Sequence, residues 1–197
     1  MKSVLSLLLL LASCTVAVAA DSSASAEATV ERLHASLLDA MRGGDSLGYR
    51  GRRDMLAPVV RDSFDFDTIA GIVTGRAWKS ASATQQSAFL DTFSALSVAT
   101  YATNFSGFDG ERFETRASED SRGSRIVRTV LIKSDGEEVS LNYMLRKSND
   151  TWRIINVVAQ GVSDLSLKRA EYTAVIDAEG FDSLVERLRE KVSEMER

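Results

Sequence analysis

The sequence has one cysteine, Cys14, one histidine, His34, and one proline, Pro58, among its 197 residues. A single thiol cannot close a disulfide within the chain, so the fold has to be held together by its apolar core. One histidine and one cysteine are also too few for a zinc site built from those residue types. A glycine-rich loop for binding phosphate is missing as well. These absences argue against thiol, zinc and nucleotide-dependent chemistry.

The first twenty residues predict a secretory signal peptide. Lys2 precedes an apolar run over residues 4–12, and small residues end the segment. The run is well short of the ~20 residues that cross a bilayer, and no later stretch approaches that length. We expect cleavage after Ala19 or Ala20. A second possibility stays open, in which Cys14 ends a lipobox and becomes a lipidated first residue.

Acidic residues outnumber basic ones. The sequence has 24 lysines and arginines against 28 aspartates and glutamates, and removal of Lys2 with the signal peptide leaves a net charge of −5. A surface of this sign does not attract nucleic acid or an anionic membrane leaflet. We therefore expect no nucleic-acid partner.

Apolar positions at helical spacing predict helices at both ends of the mature chain. Gly43-Gly44 should stop the first helix, and Pro58 should kink or break the second near Ala57. Asp67 can cap a short third helix, which Gly75 would end. The predicted helices cover residues 25–42, 49–64, 69–73, 82–105, 165–176 and 181–195, and the fourth begins with a capping box of Ser82 and Gln85.

Alternating apolar and polar residues replace the helical pattern after residue 111. They predict four antiparallel strands, at 112–117, 124–133, 137–147 and 152–160, with turns at 134–136 and 148–150. The third strand has one clearly apolar face. The second is ambiguous, because Ile126, Val130 and Ile132 compete with Val127 and Leu131 for the inward side. Helices, then strands, then helices indicate a single α+β domain over residues 21–197.

Several segments in this order resemble the MlaC-type (toluene-tolerance) periplasmic phospholipid-binding proteins. The resemblance covers about residues 49–188. It rests on the segments Leu56-Ala57-Pro58, Phe64-Asp65-Phe66, Ile69-Ala70, Gly75-Arg76-Ala77-Trp78, Phe89 to Phe93, Tyr101-Ala102, Val139 to Tyr143 and Trp152 to Ser163. Two acids of the family pattern are amides here, Asn156 and Gln160. The stretch from Asp164 to Tyr172 looks closer to the hopanoid-associated branch of the family, which leaves the exact lipid open.

The resemblance implies a fold like that of nuclear transport factor 2, in which a twisted antiparallel sheet of about four strands packs on helices around an apolar lipid cavity. It also implies a carrier of phospholipid or hopanoid that shuttles between an inner-membrane ABC transporter, with its substrate-binding component, and an outer-membrane lipoprotein assembly. No cofactor is expected besides the lipid cargo. The candidate lining is Phe66, Ile69, Val73, Phe89, Phe93, Leu96, Tyr101, Leu141, Tyr143, Leu145 and Ile154.

Two other classes of function remain open. The same fold hosts enzymes that bury a carboxylate base, for which Asp65 and Asp67 are the candidates, but short acids before an apolar run more often cap a helix. His34 is expected to be solvated or packed in its helix. An adaptor protein with a filled core is the third class, because an aromatic stripe at helical spacing is usually core. The basic cluster Arg50, Arg52 and Arg53 could bind a lipid phosphate or an acidic partner.

Overall fold

A computed structural model describes residues 25–197, which form six helices and five strands. The elements are α1 (Ala26–Ser63), α2 (Phe66–Thr74), α3 (Arg76–Ser80), α4 (Ala83–Asn104), β1 (Arg112–Ser121), β2 (Ser124–Ile132), β3 (Glu138–Ser148), β4 (Thr151–Ala159), β5 (Val162–Ser163), α5 (Asp164–Glu179) and α6 (Phe181–Met195). The predicted signal peptide and Cys14 lie outside the described residues. None of the helices formed by residues 25–197 is both long and apolar enough to cross a membrane.

The helix α1 combines the first two predicted helices. Its backbone leaves helical geometry at Gly44 (φ 41°) and Gly48 (φ 59°), which confirms the predicted interruption at the glycine pair. No such interruption occurs beside Pro58, so of the predicted kink or break near Ala57 the break does not occur. The helix ends at Ser63, where Phe64 forms a parallel bridge to Ile154 of β4.

The residue that caps the short helix α2 lies two positions earlier in the chain than predicted. Asp65, and not Asp67, is the N-cap, and its carboxylate accepts hydrogen bonds from the backbone N–H and the hydroxyl of Thr68 at 3.0 and 2.9 Å. Gly75 ends the helix with φ 61°, as predicted. The five-residue helix α3, which carries Trp78, follows at once and was not predicted.

The capping box at the start of α4 is present as predicted. The Ser82 hydroxyl accepts a hydrogen bond from the Gln85 backbone N–H at 3.2 Å, and the Gln85 side chain accepts one from the Ser82 N–H at 3.0 Å. These bonds satisfy two donors that the helix itself leaves unpaired. The box therefore fixes where the most aromatic helix of the chain begins.

The five strands form one antiparallel meander in the order β1-β2-β3-β4-β5. All four predicted strands are present, and β1 runs four residues beyond its predicted end. The fifth strand has two residues and follows a tight turn at Gln160 (φ 49°) and Gly161 (φ 80°). Both central residues of that turn have positive φ, as in the two-residue turn at Asn149 and Asp150. The Gln-Gly dipeptide was thus the available signal for the missed hairpin.

The pairing of β2 resolves which of its faces points to the helices. Val127 is the cross-strand partner of Tyr143, and both are fully buried in the main core. Because side chains alternate along a strand, Leu131 shares the face of Val127, and Ile126, Val130 and Ile132 lie on the other face, where Val130 and Ile132 are also buried.

The helices pack around one apolar core that they share with the sheet. Helix α4 packs against both α1 and α6, α5 packs against α2, and α1 and α5 both touch β4. The largest buried side chains come from every layer, including Leu33 of α1, Phe89 of α4, Tyr143 of β3 and Leu188 of α6. This arrangement confirms the predicted α+β class.

Candidate lipid-binding site

A partly enclosed pocket of about 300 Å³ lies between the sheet and the helices α2, α4 and α5. Its volume is at the lower end of the roughly 300–1,000 Å³ found for ligand pockets in proteins. Most of its wall is apolar. The lining consists of Phe64, Phe66, Ile69, Phe93, Leu96, Ser97, Thr100, Tyr101, Asn104, Phe105, Leu141, Tyr143, Ile155, Asn156, Val157, Ala159, Asp164, Leu165 and Lys168.

Seven of the eleven candidate residues from the sequence lie in this wall. They are Phe66, Ile69, Phe93, Leu96, Tyr101, Leu141 and Tyr143. The other four, Val73, Phe89, Leu145 and Ile154, are fully buried in the packed core and do not line the pocket. The sequence prediction therefore did not separate the residues of α2, α4 and β3 that border the pocket from those that are packed in the core, and their contact with lipid stays a prediction.

A β-bulge explains why Ile155 lines the pocket and its neighbour does not. In the pairing of β3 with β4, Leu145 is opposite Ile154 and Met144 is opposite Asn156, so Ile155 is an extra residue. A bulge of this kind breaks the two-residue alternation on which the sequence prediction relied. Ile155 is 3% exposed and belongs to the lining.

Aromatic rings form much of the apolar wall. Phe66 meets Phe93 edge to face, with centroids 5.7 Å apart, and Phe64 lies 5.9 Å from Tyr101. Tyr101 in turn stacks on Phe105 at 5.8 Å. Contacts of this kind hold rings in fixed orientations, because the edge of one ring is attracted to the face of another. The wall is therefore built from side chains that support one another while they border empty space.

A buried polar contact lies behind the wall. The hydroxyl of Tyr143 and Nε2 of His34 are 3.0 Å apart, and the His34 ring stacks on Phe113 at 3.8 Å. Burial lowers the pKa of His34 to about 4, so the ring is neutral at neutral pH. Burial also raises the pKa of Tyr143. No local pattern predicts this contact, because His34 and Tyr143 are 109 residues apart along the chain.

The polar side of the pocket is formed by the start of α5. Lys168 and Asp164 form an ion pair one turn apart, with Nζ and Oδ1 separated by 2.6 Å. The amide oxygen of Asn156 accepts hydrogen bonds from the Leu165 backbone N–H and the Ser163 hydroxyl, each at 3.2 Å. These bonds hold the first turn of α5 against β4. The start of α5 thus adds charged and polar groups to a lining that also includes Ser97, Thr100 and Asn104 of α4.

Gln160, the other amide that replaces an acid of the family pattern, also joins two neighbouring segments, as Asn156 does. Its side-chain oxygen accepts hydrogen bonds from the backbone N–H and the hydroxyl of Ser140, at 3.1 and 3.2 Å. Asn156 and Gln160 therefore both act as acceptors that join neighbouring segments, a task for which an amide oxygen serves as well as a carboxylate oxygen does.

The basic cluster of α1 is largely engaged within the protein. Arg52 is buried and donates hydrogen bonds, each 2.9 Å long, to the backbone oxygens of Gly44 and Ala102. Arg53 pairs with Asp54 and with Glu196. Arg52 thus joins the interruption of α1 to the end of α4, and its guanidinium is not presented at the surface for a ligand.

Comparison with known proteins supports this description of the fold. A sequence model of the family described as MlaC protein matches residues 31–190. The intermembrane phospholipid transport system binding protein MlaC of Haemophilus influenzae is 24% identical over 127 residues, which is 62% of this chain and 59% of that protein. The chain thus aligns with less than two thirds of that relative.

A solved structure is similar over most of the chain. It is the phospholipid-binding protein from Ralstonia solanacearum, determined in complex with a phospholipid. The two structures superpose with a TM-score of 0.75 at 23% sequence identity, over 88% of this chain and 99% of the other. At that identity the likeness establishes the shared fold.

Proposed function

Since this chain belongs to the MlaC family, we propose that it is a periplasmic lipid carrier that holds the acyl chains of a phospholipid in the pocket beside α4. The observation that carries the proposal is the pocket itself, a hollow with a mostly apolar wall between the sheet and the helices. The named relative is a phospholipid transport binding protein, and the structural neighbour was solved with a phospholipid bound. Both support the same assignment for this chain.

The energetics of lipid transfer require an enclosed site. At about 0.8 kcal/mol per methylene, an acyl chain of ~16 carbons costs on the order of 10 kcal/mol to hold in water. A wet surface groove cannot offset that cost. The wall of Phe66, Phe93, Leu96, Tyr101 and Leu141 offers apolar contact on several sides, and the headgroup would stay at the rim.

Two features of the sequence, the predicted signal peptide and the excess of acidic residues, bear on where the carrier would act. The predicted signal peptide would export it, and its excess of acidic residues would limit adhesion to anionic lipid. We propose that it moves lipid between an inner-membrane ABC transporter complex and an outer-membrane lipoprotein assembly. Lipidation at Cys14 would instead fix the protein to a membrane, and the mass of the exported protein distinguishes the two forms.

The contacts of the acidic candidates argue against an enzyme of the buried-carboxylate kind. The Asp65 carboxylate is occupied by Thr68, and Asp67 is exposed in the first turn of α2. Neither residue lines the pocket. We therefore propose that no covalent chemistry takes place in the pocket.

A serine motif in α1 does not change this view. Residues 44–48 read Gly-Asp-Ser-Leu-Gly, the pattern of a nucleophile elbow, which requires a strand-to-helix turn. Here the segment lies in the interruption of a helix, and the exposed Ser46 hydroxyl donates a hydrogen bond to the Gly43 oxygen at 2.6 Å. The one histidine of the chain, His34, is buried against Tyr143.

Extraction of the purified protein tests the proposal. The full-length chain would be expressed in a Gram-negative host, recovered from the periplasm and extracted with organic solvent, and the extract analysed by mass spectrometry. We expect phospholipid in near-stoichiometric amount. A polycyclic lipid would instead favour the hopanoid branch, and an empty extract would favour the adaptor. Turnover of a steroid or lipid that Asp65→Asn abolishes would restore the enzyme hypothesis.

A further inference from the structure

Four side chains in the wall of the pocket carry a hydroxyl group, and only one of these hydroxyls lacks a partner. The hydroxyls of Ser97 and Thr100 donate hydrogen bonds to backbone oxygens one turn earlier in α4, at 2.9 and 2.8 Å. The hydroxyl of Tyr143 is 3.0 Å from Nε2 of His34. Tyr101 is the fourth, and within residues 25–197 its hydroxyl has no hydrogen-bond partner.

The surroundings of Tyr101 show where its hydroxyl lies. The ring is flanked by Phe64 and Phe105, with centroids 5.9 and 5.8 Å away. Burial, and to a smaller degree the nearby charge of Asp164 on α5, raise the pKa of Tyr101. Burial, and then the neighbouring Tyr101, raise the pKa of Tyr143 on β3. The Tyr101 hydroxyl is therefore protonated at neutral pH, and it lies near groups of α5 and of the sheet that line the same pocket.

Tyr101 lies between the buried and the exposed parts of the wall along α4. Phe93 and Leu96 are 3% and 7% exposed, Tyr101 is partly exposed, and Asn104 is exposed. All four line the pocket. The part of the hollow that is remote from solvent thus lies toward Phe93, and the part nearer to solvent lies toward Asn104. Acyl chains that pointed toward Phe93 would bring the glycerol end of a lipid close to Tyr101.

An acyl chain that enters the pocket takes water away from the Tyr101 hydroxyl. A methylene group cannot accept a hydrogen bond, and a donor that is buried without an acceptor costs free energy. The carbonyl oxygen of an acyl ester is an acceptor, and it stands where the chain joins the glycerol. A lipid with this oxygen beside Tyr101 would give the hydroxyl a partner in place of water.

We infer that the pocket recognises the linkage of the acyl chains, and that the Tyr101 hydroxyl donates a hydrogen bond to an ester carbonyl oxygen of the bound lipid. The inference rests on the proposed carrier function and makes no demand on the headgroup. A lipid with ether-linked chains has no carbonyl at this place, so the hydroxyl would lose its acceptor. Specificity of this kind comes from a donor that the wrong ligand leaves unpaired.

Competitive reloading with two lipids that differ only in the linkage tests the inference. Delipidated protein would be incubated with vesicles of diester and diether phosphatidylethanolamine in equal amounts, with chains of the same length. The protein would then be reisolated and its bound lipids quantified by mass spectrometry. We expect the wild type to enrich the diester lipid about twofold to tenfold, the range of one net hydrogen bond. Tyr101→Phe keeps the ring and removes the hydroxyl, so it should bring the ratio close to one.

Tyr172 offers a matched control. This tyrosine of α5 is 2% exposed and does not line the pocket, and its hydroxyl also has no hydrogen-bond partner in the part of the chain that the structure describes. Tyr172→Phe therefore removes an unpaired hydroxyl from the core and not from the pocket wall. It should leave the ratio of diester to diether lipid at the wild-type value. Circular dichroism confirms that each variant is folded.

The outcomes distinguish this inference from the proposed function. If the wild type takes up neither lipid, the carrier function itself fails. If it takes up both lipids in the offered proportion, or if Tyr101→Phe keeps the wild-type ratio, the ester inference is overturned and the carrier function stands. An equal loss of preference in Tyr172→Phe would assign the selection to the packing of the helices and would overturn the inference as well.

Discussion

The two ends of α4 both carry aromatic side chains but differ in what covers them. At the first end Phe89 is fully buried, with its ring 5.9 Å from Trp78, 5.8 Å from Phe181 and 6.2 Å from Tyr172. At the far end Tyr101 contacts other rings and also borders the pocket. Aromatic side chains of one helix thus form filled core at one end and cavity wall at the other.

The difference lies in the elements that neighbour each end. Trp78 of α3 and Phe181 of α6 close over the start of α4. The end of α4 faces the sheet and the first turns of α5, which stand far enough away to leave a hollow. A helix shows by its own sequence that one face is apolar, but not whether another side chain fills the space opposite.

Truncation of one aromatic ring at each end of α4 should change the free energy of unfolding most, and the two changes should differ. Phe89→Ala should lower the free energy of unfolding by about 3–5 kcal/mol, because it leaves a cavity in a packed core. Tyr101→Ala, at a half-buried position beside existing space, should cost about 1–2 kcal/mol and should reduce bound lipid. Urea unfolding of delipidated proteins measures both values. Equal costs would show that the two ends are packed alike.

Acid should destabilise the protein through the histidine beneath the open end. Folding lowers the pKa of His34 from 6.5 to about 4, so below pH 6.5 the unfolded chain binds a proton that the folded one excludes. Stability should therefore fall between pH 6.5 and pH 4, by up to about 1.4 kcal/mol per unit and about 3 kcal/mol in total.

The matched variant for this effect is His34→Gln, which cannot titrate. The wild type and the variant would be unfolded with urea at several pH values, and the difference between them isolates the histidine from the many carboxylates. That difference should shrink or reverse in favour of the variant as the pH falls. A difference that stays constant from pH 7 to pH 4.5 would contradict burial of a neutral imidazole.

Enlargement of two rings one turn apart should separate stability from binding. Phe89→Trp would overfill the packed end and cost about 1–3 kcal/mol. Phe93→Trp can direct its added ring into the pocket, so it should cost less than about 1 kcal/mol but displace lipid. Lipid content per folded molecule and the midpoint of unfolding are the two measurements. Full lipid content in Phe93→Trp would mean that its ring belongs to the core.

Removal of a helix cap should lower the free energy of unfolding least, and the cost should be similar beside the pocket and at the packed end of α4. Asp65→Ala at α2, beside the open end, and Ser82→Ala at α4, at the packed end, should each cost about 1 kcal/mol. Asp65→Asn keeps an acceptor for the Thr68 N–H and should be nearly neutral. A large loss of lipid in Asp65→Asn with normal stability would give this carboxylate a role beyond capping.

Much of the fold could be predicted because it depends on neighbouring residues in the chain. The capping box of Ser82 and Gln85, the stop at Gly75 and the turn at Asn149-Asp150 are local patterns, and all three are present. The missed β5 also has a local cause, since its Gln-Gly turn is a weaker form of the usual hairpin signal. Pro58 does not break the helix, because α1 continues through it to Ser63.

The amino-acid sequence by itself determined the order of the elements, their caps and turns, and which faces are apolar, since these depend on residues within a few positions of one another. Only the tertiary structure decided that Ile155 and not Ile154 borders the hollow, that Phe89 is core, and that His34 meets Tyr143. The physical reason is that a cavity is space left between distant segments, and each segment records only its own surface.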